Sequence, residues 1–146
     1  MIALIQRVSA AHVEVDGVTV AAIDAGLLAL FAVQPDDGEA QTARLLERIL
    51  GYRIFADAEG RMNRSLAEAD GELLLVSQFT LAADTKKGMR PGFSTAAAPA
   101  EAERWFSRLV ELAKTQHRRV EIGRFGAHMK VHLVNDGPVT FWLEAH

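Results

Sequence analysis

The chain has no cysteine. That absence excludes a disulfide framework and any thiolate metal site, and it fits a reducing compartment. Charge of one sign is also in short supply. Sixteen basic side chains stand against nineteen acidic ones, for a formal net charge of -3. Proteins that coat nucleic acid by charge alone carry a basic excess, so that class is set aside, although a local basic patch is not. No stretch approaches the roughly 18 apolar residues of a membrane span. The opening run, "MIALIQRVSAAHVEV", is broken by Gln6 and Arg7 and has no charged region ahead of a longer apolar one, so it does not read as a signal peptide. A soluble, cytoplasmic protein is the expectation. Nucleotide-binding fingerprints are missing as well: no GxGxxG follows a strand, and there is no P-loop. The expected cofactor is none, and the expected metal is none.

What remains is a chain of 146 residues, the size of one domain, 1–146, with enough interior to fold without staples. "IALIQRV" reads as a first strand. "AHVEVDGVTVAAI" alternates around Asp16-Gly17 and predicts a hairpin. "GLLALFAV" is a continuous apolar run, a buried strand. The period then changes: Ala43, Leu46, Ile49 and Leu50 fall at helical spacing, with Asp36 or Asp37 as the cap and Gly51 as the stop. "YRIF" returns to strand and "ADAEGRMNRSLAEADGE" is turn-rich. "LLLVSQFTL" predicts a second buried strand, followed by a long loop, "AADTKKGMRPGFSTAAAP". Pro99 opens the strongest helix, in which Ala102, Trp105, Phe106, Leu109, Val110 and Ala113 make one apolar stripe. "RRVEIGRF", "AHMKVHLV" and "VTFWLEA" close the chain as strands. The sum is α+β: a mostly antiparallel sheet or barrel covered by two helices.

Several constellations bear on chemistry. His128 and His132 are four apart, but Met129 stands where an HExxH site needs glutamate, and the run alternates like a strand. They read as a polar strand face, and His12, His117 and His146 stand isolated. Lys86, Lys87 and Arg90 gather in one loop and Lys114, Arg118, Arg119 and Arg124 in another segment. Such clusters are usually solvated faces; a phosphate-binding rim is the sharper reading, and Phe93 beside the first favours it. Ser77, Gln78 and Thr80 interrupt a strand that should be dry, and buried polar groups must find partners. A strand end emerging into a loop explains them; so does a pocket for a polar ligand. There is no GxSxG elbow. The stretch "NDGPVT", Asn135 to Thr140, sits between two strand-like runs. Asp-Gly there signals a hairpin, yet Pro138 removes a donor where the next strand should begin.

"SQFTL" and "NDGPVT" together resemble the two signature motifs of the D-aminoacyl-tRNA deacylases. The likeness runs through "IQRVSAAHVEVDG", "GLLAL", "YRIFADAEGRMNRSL", "ADTKKGMRPGFS" and "FGAHMKVHLVNDGPVT", in family order; His128 departs from it, standing where an acidic residue is expected. The resemblance implies a homodimer that hydrolyses the ester between a D-amino acid and the 3′-terminal adenosine of tRNA. It implies that the Gly137–Pro138 peptide is cis and reaches into the partner's pocket to exclude L-amino acids. Ser77, Gln78, Phe79 and Thr80 would form that pocket. The chemistry would lean on the tRNA 2′-OH and on backbone groups, and Lys86, Lys87 and Arg90 would contact tRNA near its acceptor end. A steric wall against an L side chain cannot exclude a missing one, so glycyl-tRNA is an expected substrate. The expected partners are aminoacyl-tRNA and a second copy of the chain, with no membrane and no DNA. Two alternatives compete: a hydrolase with Thr80 as covalent nucleophile, and a non-enzymatic module that binds RNA ends, against which the net charge weighs.

Overall fold

The two runs expected to be separate near the start form one strand. In a computed structural model that describes residues 1–146, β1 covers Ile2–Val15 without a break. Its length lets it border three partners. Along one edge it pairs antiparallel with β3 (Gly26–Ala32) through its first half and with β2 (Val18–Ile23) through its second. Along the other edge it pairs antiparallel with β8 (Lys130–Glu144) from end to end. β3 continues the sheet in parallel with β6 (Glu72–Ser77), and β6 in parallel with β7 (Val120–Ile122). The result is a mixed, nearly closed sheet. A two-stranded ribbon, β4 (Phe55–Ala56) and β5 (Met62–Arg64), stands apart, the second of these inside the segment expected to be turns.

Both faces of the sheet are buried at its centre, as the continuous apolar runs of β3 and β6 require. One face carries Ala3, Ile5, Leu27, Phe31, Leu73 and Leu75 and is covered by the helices α1 (Glu39–Gly51) and α2 (Pro99–Gln116). On the other face Leu28, Leu74 and Val76 meet Val8, Ala11, Val13 and Val15 from the far half of β1. Odd-numbered residues of β1 therefore serve both cores, Ala3 and Ile5 the first and Ala11, Val13 and Val15 the second, with Val8 the even-numbered member of the second. The register shift against β8 between Val8 and Ala10 marks where the strand coils over.

Pro99 does stand at the first turn of α2, and Ala102, Phe106, Leu109, Val110 and Ala113 are buried, with Trp105 partly so. In α1 the stripe is rotated from the expectation. Thr42, Leu45, Leu46 and Ile49 are buried and Ala43 is exposed. A buried threonine is tolerated because its hydroxyl donates back to Gly38 O at 2.8 Å. The cap is Gly38, not an aspartate, and its N–H donates to the Gln41 side chain at 3.0 Å. Asp37 is engaged elsewhere, accepting from the Gln34 N–H at 2.7 Å.

Candidate active site

The strand expected over "LLLVSQFTL" stops at Ser77. β3 and β6 end side by side, Phe31 opposite Ser77, and the Gln78 N–H donates to Phe31 O at 2.7 Å. The chain then tightens into a 3-10 turn, Phe79–Ala82. As at any helix start, the first N–H groups, those of Phe79 and Thr80, have no acceptor inside the turn. Beneath this strand end opens a cavity of about 430 Å³. Its apolar walls include Phe31, Val76, Phe106 and Met129, and Ser77, Gln78 and Phe79 stand at its edge. It lies beyond the carboxyl ends of the parallel strands, where the side chains of a parallel sheet leave a crevice. The sole ionisable side chain lining it is His128. Thr80 is exposed and does not line it; its hydroxyl accepts from Gln78 Nε2 at 2.5 Å. A donated amide hydrogen does not activate a hydroxyl as a nucleophile, which would need an adjacent base.

The cationic loop is held beside this cavity. Asp84 and Gly92 exchange backbone hydrogen bonds at 2.8 and 2.9 Å, closing the base of the loop, and Thr95 Oγ1 donates to Ala82 O at 2.6 Å. Phe93 packs on Phe79 with ring centroids 5.1 Å apart. Both rings remain about half exposed, 45% and 56%. Lys86, Lys87 and Arg90 are exposed on the excursion between. Two segments that the sequence presents separately thus form one rim: an aromatic pair beside three cations.

Gly137 and Pro138 belong to neither a hairpin nor this rim. β8 is continuous across "NDGPVT", because β1 is long enough to pair with both flanks: Val8 faces Asn135, and Gln6 faces Thr140. Residues 136–139 bulge out opposite Arg7. The Gly137–Pro138 peptide is cis, and Gly137 has φ +137°. A Cβ on Gly137 would lie 2.6 Å from Val139 Cγ2 and 2.9 Å from Val139 N, so only glycine fits without a shift. Two side chains clamp the bulge. Asn135 takes the place of the missing ladder partner, its Oδ1 accepting from the Val139 N–H at 2.8 Å and its Nδ2 donating to Thr140 Oγ1 at 3.0 Å. Arg7 reaches from β1, donating through Nε to Asp136 O at 3.1 Å and through Nη1 to Ile54 O at 2.7 Å. Neither residue stood out in the sequence, although a charged residue inside an apolar strand run was a signal for Arg7.

Within one chain the two motifs lie far apart. Arg7 pairs with Leu27 near the start of β3, whereas the cavity begins at Phe31, on the order of 13 Å further along the strand at about 3.3 Å per residue. Gly137 and Pro138 do not line the cavity. Ser77, Gln78 and Phe79 are brought together at the cavity edge, and the loop that carries the cations is joined to them through Phe93; the bulge is not.

Comparison with known proteins places the chain in a family. The pattern of the D-Tyr-tRNA(Tyr) deacylase family matches residues 4–144. A D-aminoacyl-tRNA deacylase of Pseudomonas paraeruginosa is 62% identical over 144 residues, covering 99% of each chain. One from Xanthomonas oryzae is 64% identical over 144 residues, covering 98% of this chain and 99% of the other. Among solved structures, the c-Myc DNA unwinding element binding protein superposes with a TM-score of 0.96 at 36% identity, over 100% of this chain and 99% of that one. A probable eukaryotic D-amino acid tRNA deacylase superposes with a TM-score of 0.74 at 20% identity, a likeness of fold.

Proposed function

Because the chain belongs to the D-Tyr-tRNA(Tyr) deacylase family, we propose that it hydrolyses the ester joining a D-amino acid to the 3′-terminal adenosine of tRNA, in the cytoplasm. The observation that carries the reading is the cavity at the end of β6, rimmed by Ser77, Gln78 and Phe79, the last of which packs on Phe93 of the cationic loop. The apolar walls suit an amino-acid side chain. The N–H groups of Phe79 and Thr80 suit the ester carbonyl, whose oxygen gains negative charge as water adds. The 2′-OH of the terminal adenosine takes the role of proton carrier. Water adds to the carbonyl carbon, the bond to the ribose oxygen breaks, and that oxygen leaves protonated, giving free amino acid and uncharged tRNA. Lys86, Lys87 and Arg90 would meet acceptor-end phosphates.

Selection of hand falls to Gly137 and Pro138 of a second copy. The reading is supported by the bulge lying mid-strand, opposite Arg7 and outside the cavity of its own chain, and by its clamping through Asn135 and Arg7. A two-fold homodimer would make the two exchanges equivalent. Backbone held in that position clashes with an L side chain and leaves hydrogen untouched, so misacylated glycyl-tRNA is also a substrate.

The test is deacylation of matched D- and L-aminoacyl-tRNA, followed by subunit mixing. Gly137→Ala should damage the bulge and Gln78→Ala the cavity rim. Mixed and allowed to exchange, the two defective proteins should regain D-selective hydrolysis, because one hybrid site has both parts intact. Thr80→Ala should retain substantial activity, whereas a covalent nucleophile would cost orders of magnitude. Equal rates on both hands, or no recovery on mixing between folded variants, would defeat the reading.

A further inference from the structure

On the far half of β1 three side chains converge that have no part in the proposed reaction; neighbouring Met129 and Val131 line the cavity, but none of the three does. We infer that His12, Glu14 and His132 form a binding site for a divalent transition ion of the zinc class. His12 and His132 are direct register partners across the β1–β8 pair, and Glu14 lies two residues beyond His12, hence on the same face of the strand. The two imidazoles stack with centroids 4.2 Å apart and planes 8° from parallel. Both Nε2 atoms turn toward one carboxylate oxygen. Nε2 of His12 is 3.8 Å from Glu14 Oε2, and Nε2 of His132 contacts the same oxygen directly. All three donor atoms lie within 4.8 Å of one another.

Donor atoms around tetrahedral zinc stand about 3.3 Å apart, given bonds of about 2.0–2.1 Å. The donor atoms already lie within 4.8 Å of one another, so an ion would require the three partly exposed side chains to turn and the stacked rings to tilt toward a common point. Two imidazoles and a carboxylate suit zinc, nickel or copper and not magnesium or calcium, which take oxygen donors. The surroundings leave the open positions to water. In β2, Ala22 stands beside His12 and Thr19 beside Glu14, both small. Lys130, the register partner of Glu14, is the charged neighbour facing the site from β8, and its cation lowers affinity without blocking the donors. An ion here ties β8 to the half of β1 that coils away from the helices.

The experiment is calorimetric titration of the full chain with zinc chloride, with thermal melts in parallel. One zinc per chain is expected, bound more weakly at about pH 5.5 than at about 7.5 because each imidazole must shed its proton to bind. His12→Ala and His132→Ala should each weaken binding by about tenfold or more, since even the loss of a residue that merely orients a ligand costs that much. His12→Gln and His132→Gln serve if an alanine variant melts abnormally. His146→Ala should bind as wild type. X-ray absorption should find imidazole nitrogen and oxygen around the zinc. Failure to bind zinc, or binding that survives loss of both His12 and His132, overturns the site. Deacylation assayed in chelator is a separate readout, so the fate of the site and that of the proposed activity stay distinguishable.

Discussion

Arg7 shows how much one side chain can hold. Its guanidinium is mostly covered, 17% exposed, and bridges three things: the Ile54 carbonyl, the Asp136 carbonyl and the Asp136 carboxylate at 3.4 Å. Hydrogen bonds from a charged donor contribute about 1.5–3 kcal/mol, and losing the donor strands the acceptors. Arg7→Ala is expected to cost about 2–3 kcal/mol in denaturant unfolding. It should also lower the ratio of D- to L-deacylation, because the bulge loses one of its two clamps. Arg7→Lys should recover little of either, since an ammonium cannot reproduce a planar fork. A lysine variant with wild-type stability and selectivity would remove Arg7 from this role.

At the scale of elements, the parallel contact between β3 and β6 places the cavity, and its closeness depends on a missing Cβ. A methyl group on Gly26 would lie 1.9 Å from the Glu72 carbonyl oxygen. Because the obstacle is backbone, it cannot rotate aside. Gly26→Ala is expected to push β6 from β3, costing about 3 kcal/mol or more and lowering Tm by roughly 10 °C for a chain of this size. Gly51→Ala, where nothing lies within 4 Å of the added carbon, is the control and should leave Tm unchanged or slightly raised. If the two variants melt alike, the packing account of β3 against β6 fails.

Across the whole molecule, several carboxylates are held below their ordinary range. The Arg108 guanidinium does this for Glu39, Asn63 and the Arg61 N–H for Asp57, the Ser65 N–H for Glu68, and the Trp142 indole N–H for Glu144. A lowered folded value means the unfolded chain binds protons more readily. The stabilisation is therefore complete above the ordinary values, 4.5 for glutamate and 3.8 for aspartate, and is lost as pH falls through the lowered ones. Thermal melts should be flat with pH above about 5 and fall steadily toward pH 3. Asp57→Asn should reduce the acid-side loss without changing its direction. Stability that rises on acidification would contradict these assignments.

The sequence by itself determined what local pattern can determine. Apolar stripes placed α2 and the runs of β3 and β6, a dipeptide turn placed Asp16–Gly17, and polar residues ending an apolar run marked Ser77 and Gln78. Two short motifs and the segments between them were enough to find the family. Tertiary structure decided the partners. "NDGPVT" is a bulge and not a hairpin because β1, 129 residues away at Arg7 and Asp136, is long enough to pair with both of its flanks. His12 meets His132 through the same β1–β8 pairing, and Phe79 meets Phe93 because Asp84 and Gly92 close the loop between them. Periodicity reports which face a residue turns inward. It carries no information about which distant strand lies alongside, or in what register, because those follow from how the whole chain closes over its core.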